Sequence, residues 1–514
     1  MPCFEDLPVE LINLIFSHLF LPYQDAWSEY IDIYPNVDVK ALVSLTGTSR
    51  LCRSLALPII FHSIRKTHRR KYIFNMFNSH QDLTQCTKAI SLPFVRPRNS
   101  DYSDVQDTAS RFGAGGPVIR SVQQGLPETA EVCLALALCS SVERLKIRLP
   151  DHNRKTDWNN TSFRPAFNLF NIISSQLGTV PCLRNLKYLM CYTRPEIGLF
   201  ARFANPPELA IFGIPQLLEL TPKIEVLVLG GSYDKYHRLG EPFDVSVCRL
   251  ALESLVEIQL LEWQLTNDED NDVNVLVDVL TATTRLKKFV YVIYGFEGWG
   301  LECPPRRLID MLLPVQSTLQ HLTLNYGERE LFPDSDDVFR SEEMVVDPDQ
   351  FRPFTHLETL EISQCVYCHH QFDRKAEGAT YLANLLPPTI RKLTIYFPRH
   401  ERGVQCMDCI LYLGQRAVAG DFPALECLQI NCRFHQIRRK ESGRRYRRWR
   451  ALRWTAEDAA RKTMMYERQL ADAARREEGR KDKIVEAFAG SGVEIGYKAW
   501  QTMYVDKEYY VLDA

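Results

Sequence analysis

Cys365-x-x-Cys368-His369-His370 and Cys406-x-x-Cys409 are the residues of this chain best suited, by type and spacing, to hold a metal ion. Thiolates two residues apart chelate one ion, and two such knuckles make a tetrahedral zinc site. Here 37 residues separate the knuckles, a wider gap than zinc ribbons use. Each pair follows an expected strand, the first after Ile362 and the second after Ile395, so one sheet edge could hold both. Against zinc, Cys406 and Cys409 fall in an expected helix. Fifteen cysteines spread among apolar stretches also read first as reduced, buried thiols. Metal ligation by Cys365, Cys368, Cys406 and Cys409 is therefore the less favoured reading, and no cofactor is expected.

The other chemical candidates are weaker. Arg444 to Arg453 interleaves arginines with Tyr446 and Trp449, the composition that neutralises phosphates and stacks bases. A solvated or ion-paired helical face is favoured over nucleic-acid binding or nuclear import. Gly113-Ala114-Gly115-Gly116 is glycine-rich, but no Lys-Ser/Thr follows it. With no nucleophile elbow, no His-Glu-x-x-His and no dinucleotide fingerprint, the chain reads as non-enzymatic. A net charge of −2 over 514 residues gives no global pull towards nucleic acid or anionic lipid. No apolar run approaches the roughly 18 residues that span a bilayer, and no basic leader opens the chain. A cytoplasmic or nuclear protein, or both, without a membrane partner is expected.

The elements that would position a partner begin at the front. Leu7-Pro8-Val9-Glu10-Leu11-Ile12-Asn13-Leu14-Ile15-Phe16-Ser17-His18-Leu19 repeats apolar residues every four positions, with Pro8 suited to a first helical turn. Val39 to Leu45 and Ser49 to Leu55 predict two more short helices, and Pro58-Ile59-Ile60-Phe61 closes the stretch. So small a unit buries little core and needs something to lean on. It resembles the F-box family in its Leu-Pro-x-Glu opening, the Ile15/Leu19 spacing, the Ser49-Arg50 pair and the Pro58…Phe61 ending.

That resemblance implies docking onto a Skp-family adaptor and, through it, a cullin scaffold of a ubiquitin ligase. The adaptor-facing residues it implies are Leu7, Pro8, Leu11, Ile15, Leu42, Ser49, Leu51, Leu55 and Pro58. Residues 20–37 form an insertion roughly a dozen residues longer than the family pattern. They are rich in aromatics, including Trp27, Tyr30 and Tyr34.

Behind the front, one template recurs: an apolar residue, then Leu-x-Leu/Ile in a short alternating run. Copies start at Val142, Leu183, Ile224, Leu252, Leu286, Leu319, Leu357, Ile390 and Leu425, with intervals of 28 to 41 residues. A weaker copy is Ala89-Ile90-Ser91-Leu92. Alternation predicts short strands with leucines inward. Helical segments between them are expected at 129–138, 273–280, 305–313, 376–386 and 406–415.

Strand-then-helix units of this length stack as a solenoid with a parallel sheet on one face and helices outside. The pattern is similar to long, irregular leucine-rich repeats. The fold class expected is thus α/β. A short all-α F-box at 1–62, with the inserted segment 20–37, is followed by a leucine-rich-repeat solenoid at 63–436. The stretch 437–514 is expected to hold a basic segment, a long helix over 456–489 stopped by Gly490 and Gly492, and a closing strand at 493–495. Long polar connections are expected at 100–127 and 151–162, with acidic runs at 268–272 and 334–349.

Taken with the resemblance, the expected function is a substrate-recognition subunit of an SCF-type ubiquitin ligase whose solenoid holds an unknown protein target. The candidate target-facing residues are Lys146, Lys187, Glu257, Lys287, Thr323, Glu361 and Thr394, the polar positions of the exposed strand face. The alternative is a repeat scaffold with no ligase role.

Overall fold

A computed structural model describes residues 39–64, 82–93, 102–123, 127–148, 163–177, 183–192, 214–230, 245–261, 272–293, 303–326, 346–367, 379–397, 407–432 and 478–499. It also describes 8, 11, 74, 77–79, 464, 468 and 475. The chain divides into two compact units, Met1–Arg285 with Val505–Ala514, and Leu286–Tyr504. The boundary falls inside the repeat region.

The first unit carries six parallel strands in chain order: β1 (Ser63–Ile64), β2 (Ala89–Pro93), β3 (Arg144–Arg148), β4 (Tyr188–Tyr192), β5 (Val226–Gly230) and β6 (Glu257–Leu261). The second unit repeats the plan with β7 (Lys288–Ile293), β8 (His321–Tyr326), β9 (Thr359–Ser363), β10 (Lys392–Phe397), β11 (Cys427–Cys432) and β12 (Glu494–Ala499). Parallel neighbours require a crossover, and short helices supply it. They include Phe163–Gln176, Val245–Ser254, Pro305–Met311 and Met407–Val418.

The leucine template maps onto this plan column by column. Two residues before each of β4 to β11 stands a buried apolar residue: Leu186, Ile224, Leu255, Leu286, Leu319, Leu357, Ile390 and Leu425. The second and fourth strand positions complete it. Leu322, Leu360, Leu393 and Leu428 stack in register, as do Leu324, Ile362, Ile395 and Ile430, and all are buried. A side-chain period of two sends these columns to one face, where the helices cover them.

The residue just before most of the strands has a second task. Its carbonyl accepts two N–H groups from the next repeat. Lys88 O takes Glu143 N at 2.8 Å and Arg144 N at 3.0 Å, and Glu358 O takes Arg391 N at 2.7 Å and Lys392 N at 3.0 Å. His62 O does the same for Lys88 and Ala89. These twin acceptors bond the turns of neighbouring repeats where the ladder has not yet begun.

Where a polar connection is expected at 100–127, helices form at Ser103–Arg111 and Gly115–Gln123. Val105, Ala109 and Val118 bury on them, so three small apolar anchors suffice within an otherwise polar run. Gly113, at φ +83°, turns the chain between the two helices, and a Cβ on Gly115 would lie 2.6 Å from Ser110 Oγ. The tail is described as helical over 478–487, followed by β12 beside β11. Its helix packs tightly: a Cβ on Gly414 would come within 2.8 Å of both Ala487 O and Phe488 Cδ2. Gly414→Val should therefore destabilise the second unit by about 1–3 kcal/mol through overpacking, read as a lowered urea midpoint.

Candidate functional site

Two surfaces carry the residues expected to meet a partner: the front helices and the sheet face opposite the crossover helices. Of the front stretch, Pro8, Leu11 and residues 39–64 are described, while Leu7, Ile15 and the insertion 20–37 lie outside the described residues. Leu11 is helical and its N–H donates to the Pro8 carbonyl at 2.9 Å. Helices Val39–Thr46 and Arg50–Phe61 follow. They pack through a small knot of Leu42, Cys52 and Ala56, with Leu45, Leu51, Leu55, Ile59 and Ile60 around it.

Ser49 caps the second of these helices, its hydroxyl accepting the Cys52 N–H at 3.1 Å. Ser49→Ala should cost about 1 kcal/mol, read in thermal melts as a small downward shift. Pro58 sits inside that helix. The helix end leans on the array behind it, through Phe61 against Phe77 at 6.5 Å and through Thr87, whose hydroxyl donates to Phe61 O at 3.0 Å.

The implied adaptor-facing residues thus divide. Leu42 is fully buried in the knot, Leu51, Leu55 and Pro58 are half-buried, and Pro8 and Leu11 are exposed. Leu11 keeps 46% of its surface in solvent and Val43, absent from the expected set, keeps 53%. Val43, left exposed on a helix of the closed knot, has apolar surface to offer a partner.

The opposite sheet face is polar across β8 to β11 in the second unit. Thr323, Glu361, Thr394 and Gln429 align in register across β8 to β11. Tyr396 donates to Glu361 Oε2 at 2.6 Å. His321 Nε2 lies 3.1 Å from Thr323 Oγ1 and 3.6 Å from Glu361 Oε1. Burial holds the His321 imidazole down to about 4, with Lys288 and Lys392 adding to the effect. The ring is therefore neutral near pH 7, and its contact with Glu361 is not an ion pair.

Two residues further along, Ser363 donates to Asn325 Oδ1 at 3.0 Å, both residues buried. On β4 and β5 of the first unit the same face is apolar instead, with Tyr188, Met190 and Val228 clustered beside Val226 and Leu261, while Lys146 on β3 and Gln259 on β6 flank them in register.

The seven candidate target-facing residues are not one set. Lys146, Glu361 and Thr394 occupy the middle of their strands, half-buried, and Glu257 opens β6. Thr323 is buried at 5% exposure. Lys187 and Lys287 stand one residue before β4 and β7, in the turns, where their carbonyls accept from the next repeat. The polar row of Asn325, Ser363, Tyr396 and Asn431, at the fifth strand position, was missed. Aligning the repeats by column rather than by leucine would have found it.

Of the zinc candidates, Cys368 and Cys406 lie outside the described residues, and the backbone at Cys365 is a 3₁₀ turn. Cys409 is buried within Met407–Val418, where burial, aided by Asp408, pushes its thiol up to about 11. Among the described residues no group of three or more His, Cys, Asp or Glu is placed to hold a metal. None of their helices is long and apolar enough to cross a membrane. The basic run 438–453 and the acidic stretches 268–271 and 334–345 lie outside the described residues. No model of a known protein family matches the chain, and no curated protein matches it either.

Proposed function

We propose that this chain is a substrate-recognition subunit of an SCF-type ubiquitin ligase. Its F-box-like front helices dock onto a Skp-family adaptor, and its leucine-rich repeats hold a protein target. The observation that carries the reading is the exposure of two apolar side chains, Leu11 on the front segment and Val43 on a helix whose own core is already closed by Leu42, Cys52 and Ala56. The parallel strands of each unit offer a surface on which a target can be held close to the transferring enzyme. The gain is then one of effective concentration, with no side chain of this chain taking part in the chemistry.

The test is capture of purified full-length chain by immobilised adaptor. Binding in the micromolar range or tighter is expected. Absence of capture would leave a repeat scaffold without a ligase role.

A further inference from the structure

From Val39 to Gln81 the sequence holds Lys40, Arg50, Arg53 and five more basic residues between Arg65 and Lys71, and no Asp or Glu. At the chain's average of 64 acidic residues in 514, a stretch of 43 would hold about five. The described helices put two of these cations in an unfavourable place. Arg50 is the first residue of helix Arg50–Phe61, and the Arg53 N–H donates to Ser49 O at 3.0 Å, so both belong to its first turn. That turn carries no acidic residue. Both side chains are exposed. The positive end of a helix favours anions and opposes cations. Two arginines in a first turn that itself carries no acidic residue weaken the free helix, the kind of local violation that function retains.

We infer that the front helices are built for an acidic protein surface, with Arg50 and Arg53 supplying the electrostatic attraction and Leu11 and Val43 the apolar contact. This rests on the adaptor reading above and adds the charge of the partner's docking surface and the residues that sense it. The two exposed apolar side chains favour a protein over a nucleic acid, whose backbone offers them little to bury against. Charges at the rim of such a contact act mainly on the association rate and are screened by salt.

The test compares wild type, an R50Q/R53Q double variant and Val43→Asp, all full-length, binding immobilised adaptor at about 50 mM and about 500 mM NaCl. Expected for R50Q/R53Q is an association rate about tenfold lower at low salt, a nearly unchanged dissociation rate, and convergence with wild type at high salt. Its melting temperature should be equal or higher, because two cations leave a helix N-terminus. A purely structural role for the arginines would lower it.

Adaptor binding by R50Q/R53Q equal to wild type at both salt concentrations would overturn this inference and leave the adaptor reading standing. Failure of wild type to bind would remove both. Arginine-dependent binding to a 30-base-pair duplex or to phosphatidylserine vesicles, with none to the adaptor, would overturn the choice of a protein partner.

Discussion

Changing Leu11 and Val43 together to aspartate should leave the fold standing and reduce adaptor capture at least about a hundredfold. Both side chains keep about half of their surface in solvent, so each carboxylate can stay hydrated in the free chain. Surface changes of this kind shift stability by about 0.5 kcal/mol or less. Docking reverses the situation, because each carboxylate must leave water for an apolar contact with no partner to receive it. A hundredfold loss corresponds to about 2.7 kcal/mol, modest for two apolar anchors at the centre of an interface. Thermal melts would report the first half of the claim and titrated capture the second. Undiminished capture by the double variant would remove the front helices as the docking element.

Leu360→Ala should destabilise the second unit by about 3 kcal/mol. Leu360 occupies the second position of β9, in register with Leu322 on β8 and Leu393 on β10, and all three are buried. Truncation removes the apolar area and leaves a void between two fixed neighbours that cannot collapse without shifting both strands. Stacked repeats draw stability from nearest-neighbour contacts, so the loss should appear first as faster amide exchange in β8 to β10. Urea unfolding monitored alongside exchange separates a local from a global effect. A change below about 1 kcal/mol would mean that this column is not the array's core.

The array was legible because its signal is local. Leucines two residues apart mark a strand whatever it packs against, and the copies at Val142 to Leu425 fall on β3 to β11, with the weaker copy on β2. The closing strand after Gly490 and Gly492 was legible from the break in the helical run, and both glycines adopt positive φ. β1 was not, since two residues, Ser63 and Ile64, show no period. Nor were the helices at Ser103–Arg111 and Gly115–Gln123, whose few apolar anchors are diluted by polar residues and glycine.

The candidate sites were less legible, for a physical reason. Which polar residues share a face depends on register between strands some 35 residues apart. The hydrogen bonds from Tyr396 to Glu361 and from Ser363 to Asn325 exist only once that register is set. Lys187 and Lys287 show the same limit, because a one-residue shift in where pairing begins moves a side chain from sheet to turn. Val43 escaped because a short apolar helix gives no hint of which side its neighbours will close.

The residues just before β2 to β5 are Lys88, Glu143, Lys187 and Glu225, with Lys88 Nζ 3.1 Å from Glu143 Oε1. Their signs alternate over these four modules, so this part of the array has a parity. Excising one module would set Lys88 beside Lys187, like against like, whereas excising two would restore opposite signs. Such exposed pairs add little to stability, yet they bias which lengths of array assemble without conflict, and so favour gain or loss of modules in pairs.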